Sequence, residues 1–164
     1  GGKPQPFKAW EQDMALRDAI RVSNVPVYQE LARRIGLERM RMYVAAIPYG
    51  NTQIGNEVDS FWLKGPLKIS AVEQTEFLAR LALGQLPFPA EAQENVRDIA
   101  QLEQGSDWIL YGKSGWTTTP DPDIGWWVGW VEKGDRIYVG VFPDGPNISG
   151  YTNGAHVTAQ GGFF

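Results

Sequence analysis

The spacing of apolar positions along the chain changes near residue 105. Before that point apolar residues recur at helical steps, and after it they recur at steps of two, the period of a strand. Residues 8–22, "KAWEQDMALRDAIRV", carry Trp10, Met14, Leu16, Ile20 and Val22 on mixed helical steps and predict a helix. "SNVPVYQELARRIG" predicts a second helix, with Ser23 or Asn24 as its cap, Pro26 in its first turn and Gly36 as its stop. "LERMRMYVAAIPYGN" predicts a third, closed by Pro48 and the turn Tyr49-Gly50-Asn51, after which 52–68 reads as loop. In "SAVEQTEFLARLALG", Ser70 and Glu73 stand at capping-box spacing, Val72, Phe77, Leu78 and Leu81 form an apolar face, and Gly84 ends the run. Pro87 and Pro89 then break the chain. "AEAQENVRDIAQLEQG" gives one more helical stripe through Val96, Ile99 and Leu102.

Beyond Gly105, "DWILYGKSGW", "GWWVGWVE" and "DRIYVGVF" read as strands. "TTTPDPDIG" connects the first two, and Lys133-Gly134 sits in the turn between the last two. In "GWWVGWVE", Trp126, Val128 and Trp130 share one face and Trp127 and Val131 the other, so the strand is expected to be covered on both sides. Helices followed by an antiparallel meander define an α+β domain. The tail, 141–164, differs in kind: it is rich in Gly and Asn, and the last Arg of the chain is Arg136. Asn153-Gly154 suits a hairpin turn there.

Composition narrows the function. The 164 residues are enough for one domain with a real core. Net charge is −4, which argues against a basic nucleic-acid footprint, and no apolar run is long enough to span a bilayer. There is no cysteine, so disulfides and thiolate chemistry are excluded. No metal-ligand constellation stands out. His156 is the only histidine and reads as a solvated tail residue.

Candidate chemistry begins with Lys113-Ser114-Gly115 at the end of an apolar run. A lysine there can hold an anion or move a proton, a hydroxyl can bind a carboxylate, and a glycine lets a ligand lie against the backbone. Alone, the tripeptide equally suits a solvent-facing lysine before a turn. Ser23-Asn24-Val25 equally suits a helix cap, Tyr49-Gly50-Asn51 a turn, and Trp62 in "FWLKGPLKIS" a core anchor.

Together these segments, with "GWWVGWVE", stand in an order and spacing that resemble the class D (oxacillinase-type) serine β-lactamases. The resemblance runs through about residues 1–140. It implies a β-lactamase/penicillin-recognising transpeptidase-like fold, here partial: a helical region plus part of an antiparallel sheet; 141–164, outside the resemblance, reads as a divergent or non-native tail. It also implies hydrolysis of β-lactam antibiotics through an acyl-serine, with a lysine carbamylated by carbon dioxide as general base and no separate cofactor. Ser23 would match the proton-relay serine, Lys113 the cation that tunes it and attracts the substrate carboxylate, and Ser114 a hydroxyl on that carboxylate. In the Gly115-Trp116 stretch, the N–H of Trp116 would match an oxyanion donor. Trp62 would match the indole sheltering the carbamate, and Val25 and Leu63 the apolar residues that restrict water near it. Tyr49, Gly50 and Asn51 would match a structural motif.

The nucleophile and its lysine belong to a Ser-x-x-Lys motif, which the chain lacks. Three places after Ser23, Ser60, Ser70, Ser106, Ser114 and Ser149 stand Pro26, Leu63, Glu73, Ile109, Thr117 and Thr152. The resemblance places that motif, and N-terminal strands of the sheet, upstream of Gly1. The expectation is therefore a truncated domain, inactive alone, with an open sheet edge that invites a homodimer or other strand pairing. It also implies a periplasmic setting. Two other readings stand beside it: a penicillin-sensing receptor domain, which would hold the drug rather than release it, and an α+β binding module whose motifs match by chance.

Overall fold

Local capping chemistry sets the start of two of the helices. The computed structural model describes residues 3–117, 124–144, 157–158 and 162–163. The 118–123 connection, Asn153-Gly154 and His156 lie outside them. α1 (Leu16–Arg21) is followed by α2 (Val25–Ile35), capped by Asn24, whose Oδ1 accepts from the Val27 N–H at 3.3 Å. Gly36, at φ 81°, ends α2 and begins α3 (Leu37–Ala45). α5 (Ala71–Ala82) starts on the predicted capping box: the Glu73 N–H donates to Ser70 Oγ at 3.2 Å, and the Ser70 N–H to Glu73 Oε2 at 2.8 Å.

Tertiary contacts override the sequence pattern in four places. The expected helix over 8–22 forms only as a short 3₁₀ turn, Lys8–Trp10, and as α1; the chain folds back between them, and the Trp10 indole donates to the Val22 carbonyl at 2.9 Å. The expected loop 52–68 contains a single helical turn, α4 (Phe61–Lys64). The expected helix from 90 stops at Ala100 (α6, Ala90–Ala100), and Gln101–Gln104 becomes β1. Leu102 therefore leaves the helical stripe, and Val96 is exposed. The residue α6 buries is Gln93, whose amide takes the Leu86 N–H and donates to the carbonyls of Leu86 and Phe88, so it satisfies the proline-broken link ahead of the helix. Val72, assigned to the core face of α5, is half exposed.

One antiparallel sheet runs in sequence order through β1, β2 (Trp108–Thr117), β3 (Ile124–Lys133), β4 (Arg136–Asp144), β5 (Val157–Thr158) and β6 (Gly162–Phe163). Its core face carries Tyr111, Trp130, Val139 and Val141, which pack with Leu78, Leu81 and Ala82 of α5 and with Leu86. Fully burying a leucine of this kind stabilises by about 1.5–3 kcal/mol. Tyr111 stacks on Trp130 at 4.6 Å, and both rings point hydrogen atoms at Glu132, which pairs with Arg97 of α6 at 2.6 Å. That half-buried group ties α6 to the end of the sheet.

The opposite face departs from the expectation of cover on both sides. Trp127 lies there, but Phe142 beside it and Tyr138, opposite Val131, are exposed. Gly112, Gly129 and Gly140 are in register across β2, β3 and β4. The Trp127 ring lies over that row: a methyl group at Gly112 would come within 2.7 Å of Cζ2, and one at Gly129 within 2.6 Å of Cη2 and 2.2 Å of the Tyr111 carbonyl oxygen. Gly129→Ala is therefore expected to lower stability by about 2–3 kcal/mol, the range for overpacking against groups that cannot yield. A fall in the urea midpoint at constant slope measures it.

Candidate active site

Ser23 does not cap a helix; Asn24 does. Ser23 instead occupies the left-handed position after α1, at φ 50°. Its N–H donates to the Ile20 carbonyl at 3.2 Å, and the Asn24 N–H donates to the Ala19 carbonyl at 2.8 Å. This is the Schellman closure of a helix, where glycine is the usual residue. A side chain at such a φ costs roughly 1–2 kcal/mol. Asn24, 1% exposed, holds the corner: its Oδ1 caps α2, and its Nδ2 lies 3.4 Å from the Met14 sulfur.

The strained corner presents the Ser23 hydroxyl to β2. Lys113 Nζ donates to Ser23 Oγ at 2.5 Å, to the Ser114 carbonyl at 2.6 Å, and lies 3.4 Å from Ser114 Oγ. Ser23, Lys113 and Ser114 thus meet at one point. Lys113 lies on the core face of β2, opposite Val128, and burial holds its pKa below the ordinary lysine value of 10.5. On the same face Gly115 leaves open space, because a methyl group there would touch nothing within 4 Å. Trp116, next along, is 67% exposed. β1 pairs with Ile109, Leu110 and Tyr111, and among the described residues no strand pairs with the outer edge of β2 beyond Tyr111.

The Trp62 turn abuts the far end of the same strand. Phe61 is the buried anchor of α4, and Trp62, 37% exposed, meets it edge-on at 5.0 Å. The Leu63 carbonyl accepts from Thr117 Oγ1 at 3.2 Å. Val25 is the first residue of α2, immediately after the Ser23 corner, and it and Leu63 are half-buried. Tyr49, Gly50 and Asn51 brace the other end of the Trp62 segment. The Asn51 N–H donates to the Lys68 carbonyl, its Nδ2 to the Pro66 carbonyl at 3.0 Å, and its Oδ1 accepts from the Lys68 N–H at 3.0 Å. Gly50, at φ 54°, lies so close to Lys68 that a methyl group would overlap its carbonyl oxygen. Tyr49 packs edge-on against Phe77, and burial raises its hydroxyl pKa. From α2, Gln29 donates to the Asp59 carbonyl at 3.0 Å and Arg33 pairs with the Asp59 carboxylate at 2.6 Å. Sequence reasoning missed Thr117, Gln29 and Arg33, whose partners are distant in sequence and carry no local signal. Among the described residues no His, Asp and Glu cluster suits a metal, and no helix is long and apolar enough to cross a membrane.

The chain belongs to the penicillin binding protein transpeptidase domain family, which it matches over residues 1–160. Its homologues are class D β-lactamases. It is 44% identical over 144 residues to β-lactamase OXA-5 of Pseudomonas aeruginosa, an alignment covering 86% of this chain and 54% of that one. It is 42% identical over 137 residues to OXA-48 of Klebsiella pneumoniae, covering 84% and 52%. The solved class D β-lactamase FUS-1 (OXA-85) from Fusobacterium nucleatum subsp. polymorphum superposes with a TM-score of 0.84 at 45% identity, over 90% of this chain and 63% of that one. The chain thus spans about half the length of the curated relatives it matches.

Two outcomes follow from this geometry. Ser23→Gly is expected to be more stable than Ser23→Ala by about 1 kcal/mol, because only glycine relieves the left-handed strain; paired thermal melts measure the difference. Lys113 is expected to react with an acylating reagent at a lower pH than an ordinary lysine, as read by peptide-resolved mass spectrometry. Ser23→Ala, which removes an acceptor from the ammonium, moves that titration lower still. Between its depressed folded value and 10.5 the unfolded chain binds the Lys113 proton and the folded chain does not. Stability relative to Lys113→Met therefore rises with pH through that window.

Proposed function

We propose that this chain carries the proton-relay and carboxylate-binding side of a class D β-lactamase site. The carrying observation is the hydrogen bond from Lys113 to Ser23 across 90 positions of sequence. In this reading a serine hydroxyl attacks the β-lactam carbonyl, the ring C–N bond breaks, and Ser23 passes the proton to the departing nitrogen. Water then cleaves the ester. Lys113 holds the Ser23 hydroxyl in orientation and, with Ser114, attracts the substrate carboxylate. Gly115 gives the ligand room, and the Trp116 N–H is one oxyanion donor. The open edge of β2 supports a ligand lying along the strand there.

The attacking serine and a carbamylated lysine base come from a Ser-x-x-Lys segment, and the sequence contains none. Trp62, Val25 and Leu63 would border that carbamate, and their aromatic and aliphatic character suits a lysine that must be neutral to take up carbon dioxide. The homologues support a periplasmic setting, and the uncovered edge of β2 also supports pairing with a second chain.

The purified 164-residue chain is expected neither to hydrolyse a chromogenic cephalosporin nor to gain the mass of an acyl adduct. Joined to a Ser-x-x-Lys-bearing segment of a class D β-lactamase, it is expected to hydrolyse the same compound. Ser23→Ala and Lys113→Ala should each lower kcat/KM of that chimera by about 10²–10⁴-fold, the usual weight of a proton-transfer or charge-stabilising group. Turnover by the chain alone, or a folded, active chimera indifferent to both substitutions, overturns the proposal.

A further inference from the structure

The core face of β2 presents Lys113, Gly115 and Thr117 in succession. Lys113 at one end is fixed to the Ser23 corner, and Thr117 at the other is fixed to the Trp62 turn through the Leu63 carbonyl. Between them Gly115 leaves a notch: among the described residues a methyl group there would meet nothing within 4 Å. Four residues of strand rise make that notch roughly 13 Å long. Its near wall is a cation and its far wall is the Thr117–Leu63 bond.

Among the described residues two other groups of hydrogen bonds hold the Trp62 turn, and neither joins it to the sheet. Gln29 and Arg33 hold Asp59 at its start, to α2. Asn51 holds Pro66 and Lys68 at its end, to the 49–51 turn. Thr117 joins the middle of the segment to the strand that carries Lys113 and Ser114. We propose that Thr117 is a positioning residue: its hydroxyl fixes Leu63 and Trp62 against β2 and so sets the far wall of the ligand notch. The proposal deepens the β-lactamase reading and rests on it for the identity of the ligand, but the clasp itself is a property of this chain.

Thr117→Val keeps shape and strand propensity and removes only the hydroxyl. Thr117→Ser keeps the hydroxyl. The chain is labelled with 5-fluorotryptophan, and the Trp62 line in the ¹⁹F spectrum is assigned by Trp62→Phe. In Thr117→Val the Trp62 line is expected to shift or broaden by more than its width while the Trp126, Trp127 and Trp130 lines stay put. In Thr117→Ser the Trp62 line returns to its original position. Amide exchange over 61–65, read by mass spectrometry, should rise in the Val variant and fall back in the Ser variant. A Trp62 line unmoved in Thr117→Val, or left displaced in Thr117→Ser, overturns the clasp. If instead every line moves together in Thr117→Val, the residue serves general folding and the proposal fails. Loss of the β-lactamase reading, from an active chimera indifferent to Ser23 and Lys113, leaves these spectra unaffected, so the two failures are told apart.

Discussion

A single contact between distant parts of the chain organises the molecule. Lys113 extends from a strand and Ser23 from a helix corner, and they meet across 90 residues. The contact requires a helix that ends in the left-handed conformation, a second helix that starts at once, and a strand that projects its lysine toward both. The Schellman closure at Ala19–Asn24 supplies the first, and Asn24 supplies the second by capping α2 with the residue that also completes the closure. The core row beside Lys113, Val128 and Val141, fixes the third. Backbone strain at Ser23 persists because the surroundings over-determine its unfavourable φ, the pattern on which the proposed role of its hydroxyl draws.

Around that contact the proposed site draws on separate pieces of the chain: Ser23 at the corner after α1 and Val25 of α2, Lys113 through Trp116 of β2, and Trp62 and Leu63 of the one-turn α4. Hydrogen bonds to main-chain carbonyls hold the pieces together: Thr117 to Leu63, Asn51 to Pro66, Gln29 to Asp59. Each is individually modest, about 1 kcal/mol net. Their value lies in geometry, since each fixes a separate joint of the Trp62 segment, and a segment pinned at its start, middle and end has little freedom left to lose when a ligand arrives.

How far the sequence foretold this depends on whether the governing contact is local. The capping box at Ser70 and Glu73 and the stop at Gly36 rest on neighbours within a few residues, the strands β2, β3 and β4 on an alternation carried within each segment, and all formed as read. The helix over 8–22 failed because Trp10 found the Val22 carbonyl instead of a helical turn. The last turns expected of α6 became β1 because residues 101–104 found pairing partners at 109–111. Val72 and Val96 look like core residues by spacing but face outward, while Gln93, polar in sequence, is buried because the broken link at 86–88 needs its amide. The same division holds at the site. Ser23, Lys113 and Ser114 were nameable because their motifs are contiguous, and coordinates bring those three together. Thr117, Gln29 and Arg33 answer to partners tens of residues away and leave no trace in the text of the chain.

The row of Gly112, Gly129 and Gly140 beneath Trp127 carries a consequence for how such a sheet changes over generations. Every missense change at the first two of those positions introduces atoms where the indole or a neighbouring carbonyl already lies. The strands are therefore linked in their histories: a side chain can enter the Gly112–Gly129 pair only after the indole has shrunk or turned aside, and a shrunken indole leaves a bare trough across three strands. Lineages should keep the ring and its floor together or exchange them as a set, so substitutions at 112, 127 and 129 are expected to co-vary.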